Sequence, residues 1–357
     1  MINVTKVYLP PLEDYIGLLR GVWERAHLTN NGPLLIELER RLRDYLDVPY
    51  LFLVANGTLA LHIAIKALKL RGSIVTTPFS YVATTSAPAW EGLTPIFADI
   101  DDRLCISPAT CDAVWRDDVS AILATHVYGN ACDVEGLEAL AKRRNVPVIY
   151  DAAHAFGAKW HARSLCGFGD ISTLSFHATK LFHTGEGGAV VTADPELAKR
   201  IEYLRNFGHA TPETFHDIGT NAKVSELHAA MGLCVLPQVD RLIKLRKALV
   251  GIYDRDLAGL DLAQPNYAQG LGRNYAYYPV LFATEDQLLH VRSQLNTENI
   301  YPRRYFYPSL SQLNYVPISQ VPNAESLSAR VLCLPLWAEL DPFQVQRICT
   351  IVRRALR

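Results

Sequence analysis

Seven short apolar runs punctuate the first half of the chain: Leu51–Val54, Ile74–Thr77, Pro95–Ala98, Ala121–Ala124, Val146–Tyr150, Ile171–Phe176 and Ala189–Thr192. Runs this short and this continuous predict strands buried on both faces, as in a parallel sheet. Helical spacing fills several of the gaps, as over Thr58–Leu70 and Val134–Arg144. Ahead of them, Pro33–Leu46 carries apolar residues at positions 34, 35, 38, 42 and 46, a further helical stripe. Alternating buried strands and helices predict an α/β fold with a large, mostly parallel sheet covered on both sides. After about residue 225 the texture changes. Val224–Leu257 reads as one long helix interrupted by Pro237, and it leads into a smaller α+β region. There Asn274–Phe282 and Val331–Leu334 predict strands, Glu285–Glu298 and Pro342–Leu356 predict helices, and Gln264–Arg273 reads as loop. The expected division is a large domain over 1–235 and a small C-terminal domain over 236–357.

Composition narrows the classes. With 357 residues, 49% of them apolar, the chain can bury a large core. A net charge of −1 gives no case for nucleic acid or an anionic membrane. No run approaches the ~20 apolar residues that span a bilayer, and the first residues lack the layout of a signal peptide. Seven cysteines, with no Cys-x-x-Cys pair, read as reduced thiols of a cytoplasmic protein.

In an open α/β sheet, ligands bind beyond the carboxyl ends of the strands. The first strand delivers Asn56, Gly57 and Thr58 and then a helix start, which is either an anion site or a simple helix cap. The second delivers Phe79 and Tyr81, which suit stacking on a flat ring or burial in a core. Val146–Tyr150 delivers Asp151, a buried carboxylate needing a cationic or hydrogen-bonding partner or else a helix cap, with His154 close behind. Ile171–Phe176 delivers Ser175 and, a short loop later, Lys180. A lysine among buried strands is either a surface residue with its head in water or a desolvated amine able to form a Schiff base. The spacing of His154, His161, His177 and His183 matches no standard zinc pattern, so no metal is expected. Taken together, a phosphate-binding helix start, a carboxylate, an aromatic and a lysine meet the requirements of pyridoxal phosphate.

On these residues the chain resembles the DegT/DnrJ/EryC1/StrS sugar-nucleotide aminotransferases, within the fold-type I pyridoxal-phosphate enzymes. The likeness spans nearly the whole chain. It is carried by Leu28–Pro33, Asn56–Leu61, Thr77–Thr84, Asp151-Ala-Ala-His-Ala-Phe-Gly157, Ser175-Phe-His-Ala-Thr-Lys180, Gly185–Gly188 and Gly219–Glu226. Carried over by position, the resemblance implies that Lys180 holds the cofactor as an imine and that Asp151 pairs with its ring nitrogen. Tyr81, with Phe79 as fallback, covers the ring. Gly57, Thr58 and Ser175 hold the phosphate, and His154 lies near the ring hydroxyl. Asn221 reaches the phosphate of a neighbouring subunit, which implies a homodimer with shared sites. Lys223 stands where relatives commonly carry arginine. Lys223, Arg303 and Arg304 are the candidates for the nucleotide diphosphate of the substrate.

The passages around Asp151 and over Arg303–Ser309 further imply a 4-aminotransferase. It would pass an amino group from L-glutamate to C4 of a dTDP-linked 4-keto-6-deoxyglucose, for surface polysaccharide such as O-antigen. The alternatives are amination at C3 and a regulatory protein that kept the fold without catalysis. A related dehydratase typically replaces the lysine by histidine, and Lys180 speaks against it. No Gly-x-Gly-x-x-Gly follows the first strand, which sets a nicotinamide enzyme aside.

Overall fold

The computed structural model describes residues 1–357. All seven apolar runs are strands, and they form one sheet: β1 (Tyr50–Val54), β2 (Ser73–Thr76), β3 (Thr94–Phe97), β4 (Val119–Thr125), β5 (Val148–Asp151), β6 (Ile171–Ser175) and β7 (Gly188–Thr192). Their order across the sheet is β1-β7-β6-β5-β4-β2-β3. Only β7 runs antiparallel to its neighbours; every other pairing is parallel. An antiparallel strand between β1 and β6 leaves those two pointing the same way. Six carboxyl ends therefore open on one side of the sheet.

Alternate residues of each strand feed two cores. Ile122 and Ala124 of β4 join a cluster of 60 buried residues on one face. Ala121 and Leu123 join a cluster of 18 on the other. Burial on both faces is why the runs are continuously apolar rather than alternating.

The helix α1 (Pro33–Leu46) forms over the range its apolar spacing predicts and buries Leu35, Leu38, Leu42 and Leu46. Pro33 at its first position costs no hydrogen bond there. The helix start is sealed from a distance. Glu226, fully buried, accepts the amides of Leu34 and Leu35 at 3.0 and 2.9 Å. A carboxylate at a helix N-terminus meets both free N–H groups and the positive end of the helix dipole. Gly32 makes room for it, because a Cβ there would stand 2.4 Å from the Glu226 carboxyl carbon.

Beyond residue 225 the structure departs from the expected elements in three places. The single long helix is two, Glu226–Val235 and α2 (Val239–Asp256), joined by a 3₁₀ turn over Leu236–Gln238. Pro237 has no N–H for the helical ladder and its ring crowds the preceding turn, so the chain steps sideways there. The expected strand Asn274–Phe282 is extended and paired only over Tyr278–Phe282. Within the expected loop, Leu271–Gly272 pairs with Lys159–Trp160. Tyr278–Phe282 lies between Leu262–Ala263 and Val331–Leu334 in a small antiparallel sheet. Its core joins 21 buried residues from Leu249 to Val352. The N-terminal Ile2–Asn3 pairs with Ile300–Tyr301, and Phe306, Leu310 and Val321 pack into the 60-residue cluster, so the two regions interlock. No helix is long and apolar enough to cross a membrane.

Replacing Glu226 by alanine leaves two buried amides without an acceptor. Glu226→Ala is expected to lose about 2–4 kcal/mol in denaturant unfolding. Glu226→Gln, which keeps an acceptor oxygen, should lose clearly less.

Candidate active site

Register brings the strand ends together. Val54 of β1 and Ser175 of β6 both lie opposite Gly188 of β7. After Val54 the chain turns into the helix α3 (Gly57–Ala67), capped by Asn56, whose side chain accepts the Leu59 amide at 2.8 Å. The cap reading therefore holds for Asn56. It leaves the amides of Gly57 and Thr58 with no intrahelical partner and pointing out of the helix start. Gly57 sits so close to β6 that a Cβ would come within 2.9 Å of the Ser175 Cβ. Gly188 is equally confined, with Asn56 backbone 2.6 Å from where its Cβ would be. Two glycines thus let the helix start that carries Thr58 come close to Ser175. That cradle fits a phosphate, by amide donors, hydroxyls and the helix dipole together.

Beside it, Asp151 ends β5 and is buried. One carboxyl oxygen accepts the Ala153 amide at 3.1 Å and the other accepts the Thr84 hydroxyl at 2.9 Å. Thr84 is tied in turn to Ser80 at 2.8 Å, and Ser80 accepts from Thr125 at 3.4 Å. No arginine, lysine or histidine pairs with Asp151, and burial pushes its carboxyl above the usual range. A buried carboxylate held by neutral donors and lacking a cation fits a protonated ring nitrogen as its missing partner.

His154 packs flat against Phe306, with ring centroids 5.5 Å apart. Its Nδ1 accepts the Tyr128 amide at 3.3 Å, which assigns the proton of the neutral ring to Nε2. Burial, and then the charge of Lys180, hold its pKa well below normal, so the imidazole stays neutral. Tyr128 reaches that position with φ of 55°, a left-handed conformation uncommon for a bulky residue.

Lys180 follows β6 and is half-buried, its Nζ 3.4 Å from the Tyr277 hydroxyl. Burial lowers its pKa, opposed by Asp151 and by the hydroxyls of Tyr305 and Tyr81. A lowered pKa favours the free amine, the form that attacks a carbonyl. Lys180, Asp151, His154, Ser175 and Gly57 thus converge from three strand ends.

Other expected residues stand differently. Tyr81 is 61% exposed, yet close enough to act on the charge of Lys180. Phe79, the fallback, is fully buried between Tyr128 and Phe306 and belongs to the core. Arg304 is a correction. Its guanidinium pairs with Glu285 at 2.6 Å, donates to the Ala329 carbonyl at 3.0 Å and covers the Tyr307 ring. A half-buried arginine already committed to a carboxylate is not free for a diphosphate. Arg303 is exposed, and its backbone bridges Cys333. Lys223 donates to Asn206 at 2.9 Å over the Phe207 ring, and Asn221 is exposed.

Three contributors escaped sequence reasoning. Thr84 lies inside a quoted motif, where its three-residue offset from Tyr81 was the available signal. Tyr277 belongs to a dense tyrosine run that showed only as a strand. Asn274 donates to the carbonyls of His154 and Phe156 at 2.8 and 2.9 Å and so hangs the Tyr277 segment over the site. Nothing in its sequence surroundings marks it.

The sequence pattern of the DegT/DnrJ/EryC1/StrS aminotransferase family matches residues 13–353. The chain belongs to that family. Its members depend on pyridoxal phosphate, the group that this cradle, carboxylate and lysine fit. A dTDP-4-amino-4,6-dideoxy-D-glucose transaminase of Shigella dysenteriae is 39% identical over 99% of this chain and 98% of its own length. A transaminase of the same name from Escherichia coli is 34% identical over 98% of each. Among solved structures, DesI in the presence of its TDP-sugar product superposes with a TM-score of 0.95 at 32% identity, covering 100% of this chain and 93% of that one. The protein is thus a pyridoxal-phosphate aminotransferase.

Asp151 ionises at a cost in the fold, so its contribution has a definite sign. The folded state binds the carboxyl proton more tightly than the unfolded chain, and stability falls as pH rises past the ordinary carboxylate value. Without cofactor, Asp151→Asn should therefore be more stable than wild type at neutral pH, with the gap closing in acid. Denaturant midpoints across pH check this. The same variant should bind pyridoxal phosphate more weakly.

Proposed function

We propose that this aminotransferase moves the amino group of L-glutamate to C4 of dTDP-4-keto-6-deoxy-D-glucose, giving dTDP-4-amino-4,6-dideoxy-D-glucose for surface polysaccharide. The observation that carries this is the full-length likeness to the Shigella transaminase of that name. Bound pyridoxal phosphate supplies an electron sink for charge developing at the donor's α-carbon. Lys180, as a free amine, would take and return the proton of that carbon. The Tyr277 hydroxyl, 3.4 Å away, steadies the Lys180 amine. Asp151, oriented by Thr84, would hold the cofactor's ring nitrogen by its negative charge. The neutral His154 would offer Nε2–H to the cofactor, and Tyr81 would cover it. Gly57, Thr58 and Ser175 receive the phosphate.

We further read the active unit as a homodimer, in which the exposed Asn221 reaches the phosphate held by the partner subunit. Arg303, exposed beside the site-forming Tyr305, is the foremost contact for the nucleotide diphosphate, with Lys223 second. The chain divides near residue 236, at the turn holding Pro237. Seven free thiols, six of them buried, suit a reducing, cytoplasmic compartment.

Lys180→Ala should abolish the visible absorbance with pyridoxal phosphate and borohydride trapping, and lower turnover by about 10⁴-fold or more; a variant keeping both signals contradicts the reading. Incubation with L-glutamate and a panel of dTDP- and UDP-keto sugars should aminate the dTDP-4-keto sugar, with NMR placing nitrogen on C4. Nitrogen on C3 would favour the 3-aminotransferase alternative. Mixing Lys180→Ala with Asn221→Ala chains should restore activity that neither has alone, since one site of the mixed dimer then holds both residues. No recovery on subunit exchange argues against shared sites.

A further inference from the structure

Four charged side chains are buried in this protein: Arg205, Glu226, Arg246 and Asp151. Arg205 pairs with Glu39, and Glu226 seals a helix start. Asp151 is left for the cofactor ring. Arg246, on α2 and only 5% exposed, has no carboxylate partner. Its Nη1 donates to the Ala276 carbonyl at 3.0 Å, and its Nε is buried with no partner at all. Burying a guanidinium without a counter-charge is costly, and such a group is kept where an anion completes it.

The surroundings say which anion. Arg246 lines a narrow cleft together with Tyr8, Lys180, Leu181, Leu242 and Trp337, with a free volume of about 10 Å³, room for roughly one water molecule. A space that small takes one end group of a ligand and not a nucleotide. Lys180 forms part of the wall. Exposed Lys6 and exposed Glu339 stand at its rim with opposite charges. With Nη1 occupied, Nε and Nη2 remain, the side-on edge that meets both oxygens of a carboxylate. Lys223, by contrast, is already turned onto Asn206 and Phe207.

We propose that this cleft is the amino-donor subsite and that Arg246 binds a carboxylate of the donor amino acid. The assignment rests on the glutamate-dependent reading above. It makes Arg246 a specificity residue for the first half of the reaction, in which the donor gives up its nitrogen. The keto sugar, which carries no carboxylate, does not use it.

The two half-reactions of the holoenzyme separate these roles. Arg246→Met should raise the apparent Kd for L-glutamate, followed by absorbance in single turnover, about tenfold to a hundredfold. The amino-loaded enzyme should still react with the keto sugar at a rate within about twofold of wild type. Glutarate, a dicarboxylate that cannot react, should bind wild-type holoenzyme in calorimetry and bind Arg246→Met far more weakly. An unchanged glutamate Kd overturns the proposal, and so does an equal loss in both half-reactions, which marks Arg246 as a mere support for the Ala276–Tyr277 segment. Arg246→Lys carries the test if the methionine variant fails to fold: it keeps the charge but loses the two-point edge, and wild-type glutarate affinity in it overturns the proposal. If wild type itself does not react with glutamate, the donor reading fails, and glutarate binding then decides the carboxylate subsite on its own.

Discussion

Everything at this site depends on charge that the fold buries and does not itself neutralise. Asp151 and Arg246 are held out of water without partners of opposite sign, and Lys180 sits where its own charge is disfavoured. Each costs stability in the empty protein, and each is tuned by that cost. The carboxylate seeks a cation, the guanidinium an anion, and the amine its neutral form. The fold tolerates this because several large apolar clusters and a seven-stranded sheet carry its stability. Paired buried charges elsewhere, such as Arg205 with Glu39, show that the chain neutralises buried charge where no ligand is called for.

The sheet supplies the geometry. One antiparallel strand, β7, is inserted beside β6, and it aligns the ends of β1 and β6 in one row. Gly188 in that row and Gly57 beyond it remove the two side chains that would hold the helix start and Ser175 apart. A phosphate cradle follows from two missing Cβ atoms and a register. The buried carboxylate of Asp151 stands at the end of β5. Its hydroxyl chain from Thr84 through Ser80 to Thr125 ties three strand ends into a rigid support for Asp151.

Much of this was legible in the chain. Strands and their continuous hydrophobicity were readable because each is buried on both faces. The order of Asn56, Asp151, Ser175 and Lys180 behind successive strands was readable because ligands gather at carboxyl ends. Less legible was everything that depends on who sits beside whom. Arg303 and Arg304 are adjacent in sequence, yet one is exposed and the other is locked to Glu285. Phe79 and Tyr81 alternate, and the strand-end turn puts one in the core and the other at the surface. Val224–Leu257 has helical spacing throughout, and only the proline's missing donor breaks it.

By itself, the sequence determined the α/β class, the seven strands and the family, since these rest on local periodicity and on motifs only a few residues long. The tertiary structure alone decided which charges are unpaired. Arg246 lies 66 residues beyond Lys180 in the chain, and no spacing joins them. They share a cleft only because α2 packs beneath the segment holding Tyr277. Burial and the absence of a partner are properties of the folded surroundings, so they appear only once the chain has closed on itself.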